Sequence, residues 1–287
     1  MPKLDKQALA EQYGWMYSLL KSDKSLWSVF SKAVKQGWDA PTFQSQIRKT
    51  SWWRKHSDAW KQWKALRLTN PREAAARVSR LEAQLRDMAG EMGARPSHRQ
   101  LSIIAHHALQ FGWNDAQVRN HMAHFVRAYH GFYAGQAAEN AQALRTLGMK
   151  LGYTFHGHSL GDRVRAIASG NSSMEGQEAA MRKWAAGAFP AYAKRILAGE
   201  DPIDIASPYI DSTARLLELP ADRFTLNSSR IRRAMQHKNK NGHPEPLGLA
   251  EFEEQVRSDP RWRGTKNAQD SMASAANSLL TRLGLIA

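Results

Sequence analysis

Eleven histidines and no cysteine bound the chemistry this chain could attempt. His106 and His107 precede a Gly-Trp pair and His121 and His124 follow it, so two antiparallel helices would bring four imidazoles near one another. His156 and His158 form a separate His-x-His element. Zinc asks for three or four such ligands, with carboxylates behind them to orient the rings. Asp115 is the sole acid between the first two histidine pairs, and no His-Glu-x-x-His pattern occurs anywhere. The missing cysteines exclude disulfides, thiolate metal sites and cysteine nucleophiles. Incomplete ligand sets predict hydrogen-bonded or surface histidines, and the sequence nominates no metal, no cofactor and no catalytic residue.

Charge gives a stronger lead. The chain carries 41 Lys and Arg against 26 Asp and Glu, a net charge of +15, and such an excess favours a polyanionic neighbour. Two segments concentrate it. In "RKTSWWRKHSDAWKQWKALR" the cations Arg48, Lys49, Arg54, Lys55, Lys61 and Lys64 alternate with aromatic rings that could stack on bases. The same rings have helical spacing toward a core, so the competing reading is a solvated basic face over packed tryptophans. In "RIRRAMQHKNK" the cations Arg230, Arg232, Arg233, Lys238 and Lys240 have only Ile231, Ala234 and Met235 as apolar company, which suits contact with phosphate.

The elements that must position these groups read as helices, because apolar residues recur at three- and four-residue steps and alternating β-branched runs are almost absent. The fold class expected is all-α, a multi-helix assembly of helix-joint-helix units. The joint is written twice, as "KQGWDAPTF" and "QFGWNDAQV". Gly37 and Gly112 can end a helix in the left-handed region, and Asp39 and Asn114 can cap the next one. Trp38 with Phe43, and Trp113 with Val118, stand where a hydrophobic staple would pack. A weaker third copy has Gly199, a cap at Asp201 and Pro202 at the first helical position. A different echo links "FQSQIRKTSWW" from Phe43 with "FEEQVRSDPRW" from Phe252, as if one unit had been duplicated. The copies are irregularly spaced, which does not support a solenoid of fixed period.

Four regions follow. Residues 1–69 hold seven of the ten tryptophans, with Trp52, Trp53, Trp60 and Trp63 expected on one side of a single helix capped by Thr50. Residues 70–95 form a connecting helix after the Asn70-Pro71 break, where Val78, Leu81, Leu85, Met88 and Met92 trace a coiled-coil-like seam. About three heptads are marginal alone, so this seam needs a partner from the chain or from another protein, and is a candidate protein interface. Residues 96–155 are a middle helical region, and 156–287 a C-terminal one. "LGYTFHGHSLGDR" reads as a loop, Ser172 or Ser173 as a helix cap, and 238–248 as a mobile polar turn. No apolar run approaches 18 residues and no basic-then-apolar leader is seen, so neither a membrane span nor a secretory signal is expected.

Two resemblances add to this. His156-Gly157-His158 is similar to the His-x-His element of LytM-type zinc peptidoglycan peptidases, but no histidine before it is followed by aspartate four residues on, as that family's other ligand pair requires. That family's β-rich fold also conflicts with the helical pattern. A cell-wall hydrolase is therefore the least favoured reading, and the chain is expected not to be an enzyme. The stretch from Glu11 to Trp53 and the tail from Asp204 to Leu285 resemble virion structural proteins, of minor tail or internal type, from tailed phages of actinobacteria. The markers are Tyr13-Gly14-Trp15, Trp38, Phe43, Trp52-Trp53, Pro208-Tyr209-Ile210 and Asp259-Pro260-Arg261-Trp262. The resemblance implies a bacteriophage structural component in the tail, connector or head, made in the bacterial cytoplasm and located in the virion. Its partners would be other virion proteins in a homo- or hetero-oligomer, with DNA nearby. A freestanding nucleic-acid-binding protein is the alternative.

Overall fold

The structure, a computed structural model, describes Gly14 and residues 16–283. Tyr13 and Trp15, two of the markers above, lie outside the described residues. Among the described residues the chain is all-α: there is no strand, only isolated bridges at Ala94 with Val126, Tyr129 with Phe132 and Lys238 with Pro244. No described helix is long and apolar enough to cross a membrane. The chain divides into two compact units, residues 1–138 with 168–170 and residues 139–167 with 171–287.

The first unit contains α1 (Lys24–Gln36), α2 (Ala40–Arg48), α3 (Ser51–Lys55), α4 (Asp58–Thr69), α5 (Pro71–Met92), α6 (His98–Phe111) and α7 (Asp115–Ala123). Both Gly-Trp joints have the expected chemistry. Gly37 and Gly112 sit at φ 61° and 65°, Asp39 accepts from the Thr42 amide at 2.9 Å, and Asn114 accepts from Gln117 while the Gln117 side chain accepts from the Asn114 amide. Gly112 is doubly constrained, since a Cβ there would lie 2.7 Å from the Ala59 methyl. The tryptophans of the joints also have aromatic and polar partners. Trp113 stacks on His121 at 4.1 Å, and the half-buried Trp38 donates its ring N–H to Gln36.

Thr50 caps as expected, accepting from the Trp53 amide at 3.1 Å, but the tryptophan-rich helix is two helices. Ser57 accepts from the Trp60 amide and starts α4 afresh, so a second cap overrides the continuous apolar spacing. Trp52 and Trp63 are buried, and Trp52 joins Tyr17, Leu20, Leu26 and Phe30 in one cluster. The α5 helix begins at Pro71 under an Asn70 cap and ends at Gly93, as its sequence pattern dictates. It packs against α4 and α6 of its own unit, which buries Val78, Leu85 and Met92.

The second unit contains most of α8 (Gly135–Leu151), then α9 (Ser159–Ala168), α10 (Met174–Ala188), α11 (Ala193–Leu197), α12 (Pro202–Ile205), α13 (Ser207–Leu217), α14 (Ser229–Met235), α15 (Leu249–Arg257) and α16 (Lys266–Arg282), with short 3-10 turns between them. The loop expected after α8 is shorter than its polar composition suggests, because Ser159 already begins α9. Ser173 caps α10 by accepting from the Gly176 amide at 3.1 Å. Leu144, Met181, Phe189, Ile196, Leu226, Ile231, Phe252 and Val256 form the core. A buried polar chain crosses it: Tyr209 donates to the Leu247 carbonyl at 2.6 Å and pairs with the Tyr192 hydroxyl at 3.1 Å. Burial pushes the Tyr209 phenol far above its ordinary range, so it stays neutral. The third joint departs from expectation. Asp201 caps nothing with its side chain; its carboxylate is bound by Arg182 at 2.6 Å and approached by Lys150 at 3.4 Å.

Candidate polyanion-binding site

The seven residues of α14 bury Ile231, Ala234 and Met235, the three- and four-step face of a short helix, and so turn Arg230 and Arg233 to the opposite side. Ser228 precedes the helix but does not cap it; its hydroxyl accepts from the Thr225 amide at 3.0 Å and folds the approach loop. Arg223 arrives from the 3-10 turn Ala221–Arg223, and Arg261 from the 3-10 turn Pro260–Gly264. Together with Thr213, Ser228 and Ser229 these side chains line an open cleft of about 300 Å³, which holds four guanidinium groups and one carboxylate, Asp259.

Asp259 organises the cleft. Its side chain is 10% exposed, accepts from the Arg261 amide at 3.0 Å, and is bound by the Arg261 guanidinium at 2.8 Å and that of Arg230 at 3.2 Å. The Arg261 hydrogen bonds, against some opposing desolvation and with the Arg230 charge added, hold this carboxyl well below the usual carboxylate range. The same pairing raises Arg261. Arg223 and Arg233 are exposed and form no ion pair among the described residues, although Arg233 donates to the Ser229 carbonyl at 3.2 Å. One carboxylate thus anchors two guanidinium groups while two more stay open to an incoming anion, and planar guanidinium forks suit phosphate oxygens.

The remaining cations of that segment lie apart from the cleft lining. Arg232 donates to Asn227 at 3.0 Å and stands over the Phe189 ring, while Lys238 and Lys240 are exposed on the polar turn, which the Lys238–Pro244 bridge closes. In the first unit Arg48, Lys49, Arg54 and Lys55 are exposed and Lys64 is half-buried. Lys61 is committed internally, paired with Asp58 at 2.8 Å and lying 3.9 Å over the Trp53 ring. The rings between these cations mostly face inward: Trp52 and Trp63 are core residues, and Trp60 stacks with His56 at 3.8 Å. That arrangement is the packed-core reading of the segment. No family model, curated protein or solved structure matches this chain.

The other predicted groups are spread out. Of the seam residues, Val78, Leu85 and Met92 are internal, and only Leu81 and Met88 keep partial exposure. His107 and His121 both contact Trp113, His106 meets the Trp63 edge, and His156 and His158 are exposed just ahead of α9. Among the described residues no group of three or more His, Asp or Glu side chains is placed to hold a metal ion. Sequence reasoning missed Arg223 and Arg261 as cleft residues. The only available signal for Arg261 was the Asp259-Pro260 start of a turn, which places a guanidinium two residues after a capping carboxylate.

Proposed function

We propose that this protein is a structural, assembly-type component of a tailed-phage particle, carrying a basic surface that lies against DNA and has the Arg223-Arg230-Arg233-Arg261 cleft as its phosphate-gripping point. The single observation that supports the reading is that cleft, in which four guanidinium groups face one carboxylate on a chain of net charge +15. The virion assignment draws on the sequence resemblance, and the cleft supplies the contact with nucleic acid that such a location calls for. Duplex DNA binding followed across a salt series tests it. The logarithmic salt slope is expected to fall by about 0.9 for each phosphate contact removed when Arg223 and Arg233 are changed to alanine, since the open guanidinium groups displace counterions. Unchanged slopes in both variants would remove the cleft from the proposal.

A freestanding nucleic-acid-binding protein is the second reading, favoured by the fact that the cleft is completed by this chain alone. Retention in purified particles after genome release supports the first reading. Strong salt-dependent binding by the isolated protein, without incorporation into particles, supports the second.

A further inference from the structure

The described chain displays an aromatic pair, Tyr129 and Phe132, that stands outside its core, with the His130 ring and the Arg95 guanidinium against Tyr129. After α7 the backbone is anchored by the Ala94–Val126 bridge and by the Arg95 amide, which donates to the Phe125 carbonyl at 3.0 Å. Val126 is fully buried there, and residues 127–132 beyond it are all exposed. Tyr129 and Phe132 exchange both backbone hydrogen bonds, at 2.8 and 3.0 Å, around the two-residue turn His130-Gly131. Both turn residues have positive φ, 48° and 84°, the geometry of the tight hairpin turn whose twist matches its arms. Gly131 adopts this freely, whereas His130 does so against its side chain, a form of backbone strain concentrated at functional sites.

Residues that face each other across such a turn project to the same side of the ribbon. Tyr129 is 61% exposed and Phe132 is 77% exposed, although a turn of this kind requires neither ring. A Cβ built on Gly131 would meet nothing within 4 Å, so this finger has open space around its tip. The surroundings are cationic. The Arg95 guanidinium lies 5.2 Å from the centre of the Tyr129 ring, Arg127 is exposed two residues earlier, and residues 116–138 contain no Asp or Glu.

We infer that the Tyr129–Phe132 hairpin is a stacking finger for unpaired nucleobases, binding single-stranded nucleic acid through ring faces while Arg95 and Arg127 meet the adjoining phosphates. Aromatic faces beside guanidinium groups are the means by which single strands are held without sequence preference. An uncharged lipid surface or an apolar protein pocket would be met less well by a finger that also carries Arg127 and His130 at its exposed edge, whereas anionic lipid is the competing ligand that the vesicle measurement below separates. The inference rests on the nucleic-acid-facing reading above but uses different residues, so the two can fail separately.

The test compares a fluorescent oligo-dT 20-mer, an abasic phosphodiester strand of equal length and a duplex, using the full chain and the Tyr129→Ala/Phe132→Ala double variant. The wild-type chain is expected to prefer oligo-dT over the abasic strand by roughly tenfold, from one or two stacked bases. The variant should lose that preference, keep its duplex affinity, and unfold at the wild-type temperature because both rings are exposed. A Tyr129→Phe/Phe132→Tyr variant should retain the preference. Equal wild-type affinity for the oligo-dT and abasic strands overturns the inference while salt-dependent duplex binding leaves the cleft standing; no binding to any strand overturns both. Loss of binding to anionic lipid vesicles in the double variant, with oligo-dT affinity unchanged, would assign the finger to membranes and also overturn the inference.

Discussion

The two echoed stretches, one in each unit, share a backbone plan and differ in what they bury. Both begin with a nine-residue helix, Ala40–Arg48 and Leu249–Arg257, followed by a right-handed C-cap at Lys49 or Ser258 and an extended N-cap at Thr50 or Asp259. Both then make a five-residue helical turn, α-helical at Ser51–Lys55 and 3-10 at Pro260–Gly264. Both caps are buried, yet Thr50 is neutral, donating to the Ile47 carbonyl at 2.6 Å, whereas Asp259 is charged and bound by two arginines. Phe252 and Val256 are fully buried where Phe43 and Ile47 are half-buried. The joint needs only a side-chain oxygen at the cap, so its charge is free to serve another purpose, and in the second unit it builds the arginine cleft.

The largest expected break in this comparison comes from the aromatic pair. Phe252→Ala should cost about 3–5 kcal/mol, the range for truncating a buried phenylalanine, and Phe43→Ala clearly less. Denaturant unfolding of the two variants checks the ranking; equal costs would mean the two copies are packed alike. Next is the cap itself. Asp259→Asn should cost about 2–3 kcal/mol, the scale of lost hydrogen bonds to charged groups, while Thr50→Ala should cost about 0.5–2 kcal/mol as an ordinary cap. Thermal melts at neutral pH provide the comparison.

The cap difference also has a sign in pH. The Asp259 carboxyl has its pKa lowered in the folded chain, so the unfolded chain binds the proton more readily. Its stabilisation is present in full above the ordinary carboxylate value of about 4 and is lost progressively as pH falls below that. Unfolding free energy measured from pH 5 downward should therefore decline less steeply in Asp259→Asn than in the wild type, and Thr50→Ala should leave the slope unchanged. The smallest expected effect lies at the Gly-Trp joints: Asp39→Ala and Asn114→Ala should each cost about 0.5–2 kcal/mol, toward the low end because both caps are exposed.

The all-α class and the joints were legible because helix caps are local. Gly37 with Asp39, Gly112 with Asn114, and the Asn70-Pro71 start of α5 each depend on residues within three or four positions. Asp201 was misread because its partners, Arg182 and Lys150, come from distant helices, and an ion pair outcompeted the local cap. Ser57 carried a cap signal that the run of tryptophans masked. Arg230 and Arg233 could be nominated as part of a basic cluster, but the cleft depends on Arg223 and Arg261, brought in by separate turns. The finger was written locally, as a His-Gly turn between Tyr129 and Phe132, and was hidden by its place in a helical stretch.

The uneven sharing of indole rings makes the molecule its own optical probe. Eight of the ten tryptophans belong to the first unit, leaving only Trp184 and Trp262 in the second. Intrinsic emission will therefore report chiefly on the first unit, whereas far-ultraviolet dichroism weighs the helices of both. If the units melt at different temperatures, the two signals will part company, and the order in which they do so will show which unit yields first without any dye or label being attached.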